Sequence, residues 1–490
     1  MKLRQRLVCL LLGFIVWFSL PTPTSTASTS AAPQVLHVLN RLSYGLSPGD
    51  IEGVQSSGIK AYIQSQLSPE SIPQRPKLKG QIEQFETLQL SPVELLRDYE
   101  PPQGKRREQL SEEELKNAKK KAKQPLKQAT DARLLRAIAS PRQLQEVMVD
   151  FWFNHFNVFA QDKENRFWIG AYEEQAIRPH VLGRFRDLLA ATAHHPAMLL
   201  YLDNWQNTAP GSRGAKGRFR GLNENYAREL MELHTLGVDG GYTQKDVITL
   251  ARILTGWGLD RDGSRGSESG FYFDSDRHDY TDKIFLGQRI NGSGIQEGEQ
   301  ALDILASHPA TARHISYKLA QYFVADEPPS GLVDRLAKRF RQSDGDIRAV
   351  LETLFQSREF LNPDYYSSKF KTPYQYAISA VRATGVEDFR LTRTSRFLEQ
   401  MQMPLYGCRT PNGYKMTQGI WLSPDAMLRR LNFATALANG YLSDEKPKNV
   451  DQLISTLGNR LSAQTQEVIE NSSEKLRAAL ILGSPEMMRR

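Results

Sequence analysis

Residue types able to do chemistry are densest between Gly211 and Trp257. On a helix over 224–236, turning about 100° per residue, Tyr226, Ala227, Leu230, Met231 and Leu233 share one broad apolar face. Asn225, Arg228, Glu229 and Glu232 fall on the other. Two carboxylates three residues apart, with an arginine and an asparagine beside them, suit general acid–base work if burial raises a carboxyl pKa. Glu229 or Glu232 would then be the acid or base, and Arg228 or Arg252 would orient an anionic or carbonyl group. The same pattern on a solvated face would make only local ion pairs. His234 lands among the apolar positions, about 140° from Glu229 on the wheel, so this helix alone cannot aim both at one metal.

Two further histidines complete the candidate set. His155, next to Asn154, lies on an apolar stripe, where a hydrogen-bonded core role competes with a catalytic one. His278-Asp279, with Lys283 four residues on, occupies a polar turn, and loops carry function more often than core helices do. A cleft formed by these three regions would use Glu229, Glu232, His155 and His278 as catalytic groups, the histidines serving as partners or metal ligands. Asn154, Asn225, Arg228, Arg252, Asp279 and Lys283 would be the binding groups; the sequence names no metal and no cofactor. Just upstream, glycines 211, 214, 217 and 221 alternate with Arg213, Lys216, Arg218 and Arg220 and lead to Asn223, a good N-cap. Such a loop can cradle an anion at a helix start, although it lacks the Gly-Lys-Ser/Thr ending of a Walker loop. His194-His195-Pro196 reads as a capping sequence. Serine-hydrolase elbows, Cys-x-x-Cys pairs and dinucleotide-binding glycine motifs are missing, which removes the usual support for those chemistries.

Helices must hold these groups. Residues 141–159 place Leu144, Val147, Met148, Phe151, Trp152, His155, Phe156 and Phe159 on one face at three- and four-residue steps. Helical periodicity recurs over 169–177, 182–202 and 244–254, then in separate stretches between 300 and 384 and over 425–437, with a long loop over 403–419 that holds Pro404, Gly407, Pro411 and Gly413. Strand-like signal is confined to 270–286, where Phe271 to Phe273 and Ile284-Phe285 flank a polar turn and predict one hairpin. The fold class is therefore mainly α, a multi-helix globular domain with a small β-hairpin insertion. Along the chain this gives an N-terminal helical segment over 28–140, with a charged insertion near 100–127 where Ser111 and Glu114 form a capping-box pattern. A central core follows over 141–297, then a C-terminal helical part of the same domain over 298–440, and a polar tail over 441–490.

Composition narrows the setting. The 490 residues are 40% apolar, 9% aromatic and 24% charged, which fits a globular chain and not a fibrous or disordered one. Lys2, Arg4 and Arg6 precede an unbroken apolar or small run, Leu7 to Leu20, too short to span a bilayer. Ser25-Thr26-Ala27 then offers a small-x-small cleavage site. The expectation is a signal peptide over 1–27 and an exported protein, periplasmic or extracellular, with no transmembrane span after cleavage. Losing those three cations would bring the net charge from +8 to +5, too dilute to argue for nucleic acid. Cys9 would go too, leaving Cys408 with no partner for an intramolecular disulfide.

Several motifs occur in order: Phe151-Trp152-x-Asn154-His155-Phe156, Pro196-Ala197-Met198-Leu199-x-Tyr201-Leu202-Asp203-Asn204, Asn223 to Gly237, Tyr242-Thr243, Ala251-Arg252-x-Leu254-Thr255-Gly256-Trp257, His278-Asp279 with Lys283, Leu286-Gly287, and Pro309 to Ala312. Over roughly Val35 to Leu437 they resemble the signature of the family called DUF 1800, a domain of unknown function. The resemblance implies a bacterial, usually exported protein, often encoded beside a family related to alkaline phosphatases and sulfatases, and hence a phosphatase/sulfatase-like exported partner. It carries no established reaction. In the family pattern the position of His195 is commonly Asp and that of His234 often aromatic. Two functions follow as expectations: hydrolysis of an envelope or extracellular polymer through a carboxylate/His cleft, or a non-catalytic envelope binding or scaffold protein working with such a partner.

Overall fold

Many helix starts are fixed by local chemistry. Ser111, Thr243 and Thr372 each accept a hydrogen bond from the amide three residues on, while Glu114, Asp246 or Gln375 reaches back to the cap amide. His195 and His308 cap proline-led helices through Nδ1, which accepts from the amide two residues on. The computed structural model describes residues 33–443, 449–458 and 460–490; the expected export segment lies outside them. Those residues form a mainly α fold with two small antiparallel two-stranded sheets. The helices that matter below are α1 (Pro33–Leu42), α2 (Glu112–Lys121), α3 (Gln124–Ala139), α4 (Gln143–His155), α5 (Asn225–Glu232), α6 (Gln244–Ile253), α7 (Ile295–Ser307), α8 (Pro309–Phe323), α9 (Pro373–Thr384), α10 (Pro424–Ala438) and α11 (Glu474–Leu482). Among the described residues, no helix is long and apolar enough to cross a membrane.

Helix α4 sits at the centre. Leu144, Val147, Met148, Phe151 and Trp152 are buried, and so are Gln143, Glu146 and Asp150 on its other side. Neighbours therefore cover it all round, and each large apolar side chain contributes about 1.5–3 kcal/mol by leaving water. Its buried acids are neutralised by arginines of adjacent elements. Asp150 Oδ1 accepts from Arg133 Nη2 on α3 at 2.5 Å, and Arg133 Nη1 donates to Glu173 at 2.9 Å. Arg178 joins Glu146 at 3.0 Å and Glu173 at 3.4 Å. Glu173 and Glu174 stand on a π-helical stretch, Tyr172–Ile177, whose wide turns bring both within reach of Arg178.

Three regions differ from the sequence reading. The expected single hairpin is two. β1 (Trp257–Leu259) pairs with β2 (Phe271–Phe273), and β3 (Lys283–Phe285) with β4 (Gln288–Ile290). The segment between β2 and β3 is tied down by side chains and so cannot act as a hairpin turn. Leu286 and Gly287, both with positive φ (47° and 78°), form the tight turn instead. Helix α5 is shorter than periodicity implies. After Glu232 the amides of His234 and Leu236 bond carbonyls five residues back, Glu229 and Met231, and this widened turn, not a regular wheel, sets where His234 points. The described residues of the expected polar tail, 441–490, also build core: α11 packs on α10, Ile481, Leu482, Met487 and Met488 are buried, and Arg489 bridges Phe370. Their apolar residues are too sparse for a periodic signal; several land on the core, while Tyr441, Val468 and Leu476 stay exposed. The capped α2 buries none of its residues, as its charge predicts.

Removing one partner of a buried ion pair strands the other charge. Arg133→Met should therefore cost about 3–5 kcal/mol, read as a lowered denaturation midpoint in urea with an unchanged slope.

Candidate functional site

The end of α4 reaches three separate segments. Trp152 Nε1 donates to Val181 O at 3.1 Å. Asn154 acts as a backbone surrogate, with Nδ2 donating to Tyr414 O at 2.9 Å and Oδ1 accepting from Tyr414 N at 2.8 Å. Asn157 Nδ2, just beyond the helix, donates to Cys408 O and Thr410 O. His155 Nε2 donates to His234 O at 3.1 Å. A carbonyl only accepts, so Nε2 carries the proton and Nδ1 the lone pair. Loop 403–417 is thereby held against α4. At Gly413 (φ +70°) a Cβ would come within 2.2 Å of Asn154 O, so only glycine fits.

Between α4, α8 and this loop lies a pocket of about 260 Å³. His155, Asn154 and Phe151 line it from α4, Lys318 and Tyr322 from α8, and Tyr414 and Lys415 from the loop. Behind His155 stand two more imidazoles, His234 and His314, with ring centroids 6.2 and 6.1 Å away. Burial holds all three neutral. The His155 value lies well below the usual range, with Lys318 and His314 adding to the shift, His234 is lowered to about 3, and His314 is lowered to about 4. His314 also donates to the Leu233 carbonyl. Desolvation lowers the Lys318 ammonium as well, and it has no hydrogen-bonded or ion-paired partner among the described residues. Within those residues no three His, Cys, Asp or Glu side chains are grouped to hold a metal.

The other predicted catalytic groups, Glu229, Glu232 and His278, do not line this pocket. His278, expected as a catalytic or metal-binding partner, is wholly buried. Its Nδ1 donates to Thr255 O and its Nε2 faces Glu297 Oε1, both at 2.8 Å. Lys283, expected as a binding group, is equally enclosed and donates to Glu297 Oε2 and to the carbonyls of Asp279 and Thr281. Burial would raise the Glu297 carboxyl, but His278 and Lys283 hold it below its ordinary value. Arg252 Nε bonds Asp279 at 2.7 Å, and against its desolvation Asp279 is held down to about 2 by Arg252, Thr281 and Lys283. These four predicted residues brace the β2–β3 segment against α6 and α7.

On α5, Asn225 Nδ2 bonds Leu202 O, and Arg228 bridges Glu224 and Gln244 near the surface. Glu229 is half-buried, its pKa raised by desolvation and then by Glu232, with Arg228 opposing. Glu232 faces Tyr242. The Asn223 side chain caps the helix by accepting from Asn225 N, so the glycine-rich loop meets an occupied helix start. Instead Arg218 of the loop stacks on Trp205 and Phe219, and Arg277, between β2 and β3, stacks on Phe219. Sequence reasoning missed Lys318 and His314, although both lie on the α8 periodicity at positions that could face inward.

A family model described as a protein of unknown function (DUF1800) matches residues 37–489, past the end of the motifs at Leu437 and through the C-terminal helices. No curated protein and no solved structure matches.

The neutral histidines set the acid response. Free imidazole has a pKa near 6.5, so on acidification the unfolded chain binds protons at these rings before the folded one does. Their stabilisation is complete above about pH 7 and is lost as pH falls through 6.5 toward 4. At pH 5 each ring should cost about 2 kcal/mol. Urea unfolding at pH 7.5 and 5 should show this loss, and His234→Phe should reduce it by one ring's share.

Proposed function

The chain belongs to the DUF1800 family of proteins of unknown function, and we propose that this member is an exported binding protein whose pocket between α4, α8 and loop 403–417 takes a small anionic ligand. One observation carries the reading: Lys318 is half-buried, its ammonium pushed down by desolvation and left without a partner among the described residues, in a pocket lined by no carboxylate. Partly burying a charge without a partner costs free energy, and a ligand carboxylate or phosphate would offset that cost with a charge-assisted bond. Lys415 adds a second cation at the mouth. His155 Nδ1, left with a lone pair, would accept from a ligand hydroxyl or N–H, and Phe151, Tyr322 and Tyr414 would cover apolar surface. The export expected from the N-terminal residues puts this activity in the periplasm or outside the cell. A phosphatase/sulfatase-like partner, as the resemblance implies, would release anions, and that chemistry suits the pocket.

Polymer hydrolysis is the second reading, favoured by the raised Glu229 carboxyl. It would have to proceed on the α5 surface without His155 or His278.

Titration calorimetry of the purified protein against small carboxylates and phosphate esters tests the first reading. Lys318→Met should weaken binding by about ten- to a hundredfold, the worth of one hydrogen bond to a charged group. Glu229→Gln should leave affinity unchanged. Binding indifferent to Lys318 would overturn the assignment. If instead Glu229→Gln abolished turnover of a polymer that the wild type degrades, the hydrolase reading would replace it.

A further inference from the structure

Behind one wall of the pocket the chain encloses cations well in excess of acids. Arg41 of α1, Lys369 and Lys371 from the segment entering α9, Arg430 of α10 and Arg490 are buried, with Arg460 beside them half-buried. They repel one another. Arg41 is pushed well below its usual range by burial, then by Arg490, with Asp326 opposing and Arg460 adding to the shift. Lys371 is pushed down by burial, then by Arg460, Arg490 and Arg430. Two carboxylates answer them directly. Asp326 bonds Lys369 and the Gln418 amide, and Glu486 faces Arg460 while accepting from Ser462 and Thr465. Asp150, which Arg490 also feels, bonds Arg133 through Oδ1 and leaves Oδ2 without a hydrogen bond.

Lysine can shed its proton in such a place; a guanidinium cannot. Arginine charge must therefore be met by something. Arg430 leaves Nε and Nη1 without hydrogen bonds but stacks on Phe370 and Tyr376, 4.6 and 5.1 Å from the ring centres. Arg41 has no such face. Its Nη2 reaches Tyr365 O and Ser368 Oγ, while Nε and Nη1 are enclosed without a partner among the described residues. Arg490, over the Tyr322 ring, leaves Nε in the same condition. Two mutually repelling guanidinium groups, each with orphaned buried donors, mark a place where an acceptor of negative charge belongs.

We propose that Arg41 and Arg490, supported by Lys369, hold a small inorganic anion, chloride or an oxyanion such as phosphate, at the seam between α1 and the C-terminal end of the fold. The anion pins the first described helix to the last residues. This assignment does not rest on the Lys318 pocket, and the two separate by mutation.

The test is the thermal midpoint of the full protein, dialysed into potassium gluconate and titrated at constant ionic strength with chloride in one arm and phosphate in the other. A saturable rise in at least one arm is expected, retained by Lys318→Met and lost in Arg41→Met. In gluconate alone Arg41→Met should melt above the wild type, because it removes an unpaired buried charge. Crystals soaked in bromide or grown with phosphate should show a peak within hydrogen-bond reach of Arg41 Nε, a readout that stands even if Arg41→Met fails to fold. No rise and no peak would overturn the proposal, leaving the cluster balanced by the chain's own carboxylates. A rise that survives Arg41→Met, or one with no peak at Arg41, would overturn it too.

Discussion

Buried main chain needs hydrogen-bond partners, and at the centre of this molecule one helical turn supplies many of them. Loop 403–417 runs against α4 with no strand or helix to satisfy its peptide groups. Asn154 and Asn157 do so instead, bonding both the carbonyl and amide of Tyr414 and the carbonyls of Cys408 and Thr410. His155, between them, closes on the carbonyl of His234 and so anchors the widened turn that ends α5. The polar motif at the end of α4 is thus first a joint, and the pocket beside it exists because the joint holds a loop off α8.

Interior charge is handled in three ways. Around α4, arginines and acids alternate so that Asp150, Glu146, Glu173 and Glu174 each face a guanidinium. Around Glu297, one carboxylate meets a lysine and a histidine and also accepts from the amides of Ser293 and Gly294. Near Lys318 and near Arg41 the balance is not struck within the described residues. Closed networks of the first two kinds fix a single packing, and the open ones are where a molecule of opposite charge gains most. The line between bracing and candidate binding chemistry in this fold is therefore one of charge closure more than of residue type.

That line explains which sequence readings held. Helix starts followed directly from Ser111 and His195, because a cap bonds within three residues. The α4 stripe was equally plain, since periodicity is a local property. His278-Asp279-Lys283 looked like a site because a His, an Asp and a Lys in a turn are as common in binding as in bracing. The residue that decides between them, Glu297, lies on another helix. Glu229 stands half-buried on α5, and that it does not line the pocket of His155 could not be known from a wheel.

Sequence alone determined the family, the mainly α class, the caps and the buried stripe of α4, because each rests on neighbours within a few residues or on motif order along the chain. The tertiary structure decided which polar groups are satisfied. The partner of Asn154 is Tyr414, 260 positions away, and the isolation of Lys318 depends on three distant segments all lacking an acid where they meet it. Hydrogen bonding and charge neutralisation act through space over a few ångströms, so a linear chain records the groups that need partners and the fold assigns them.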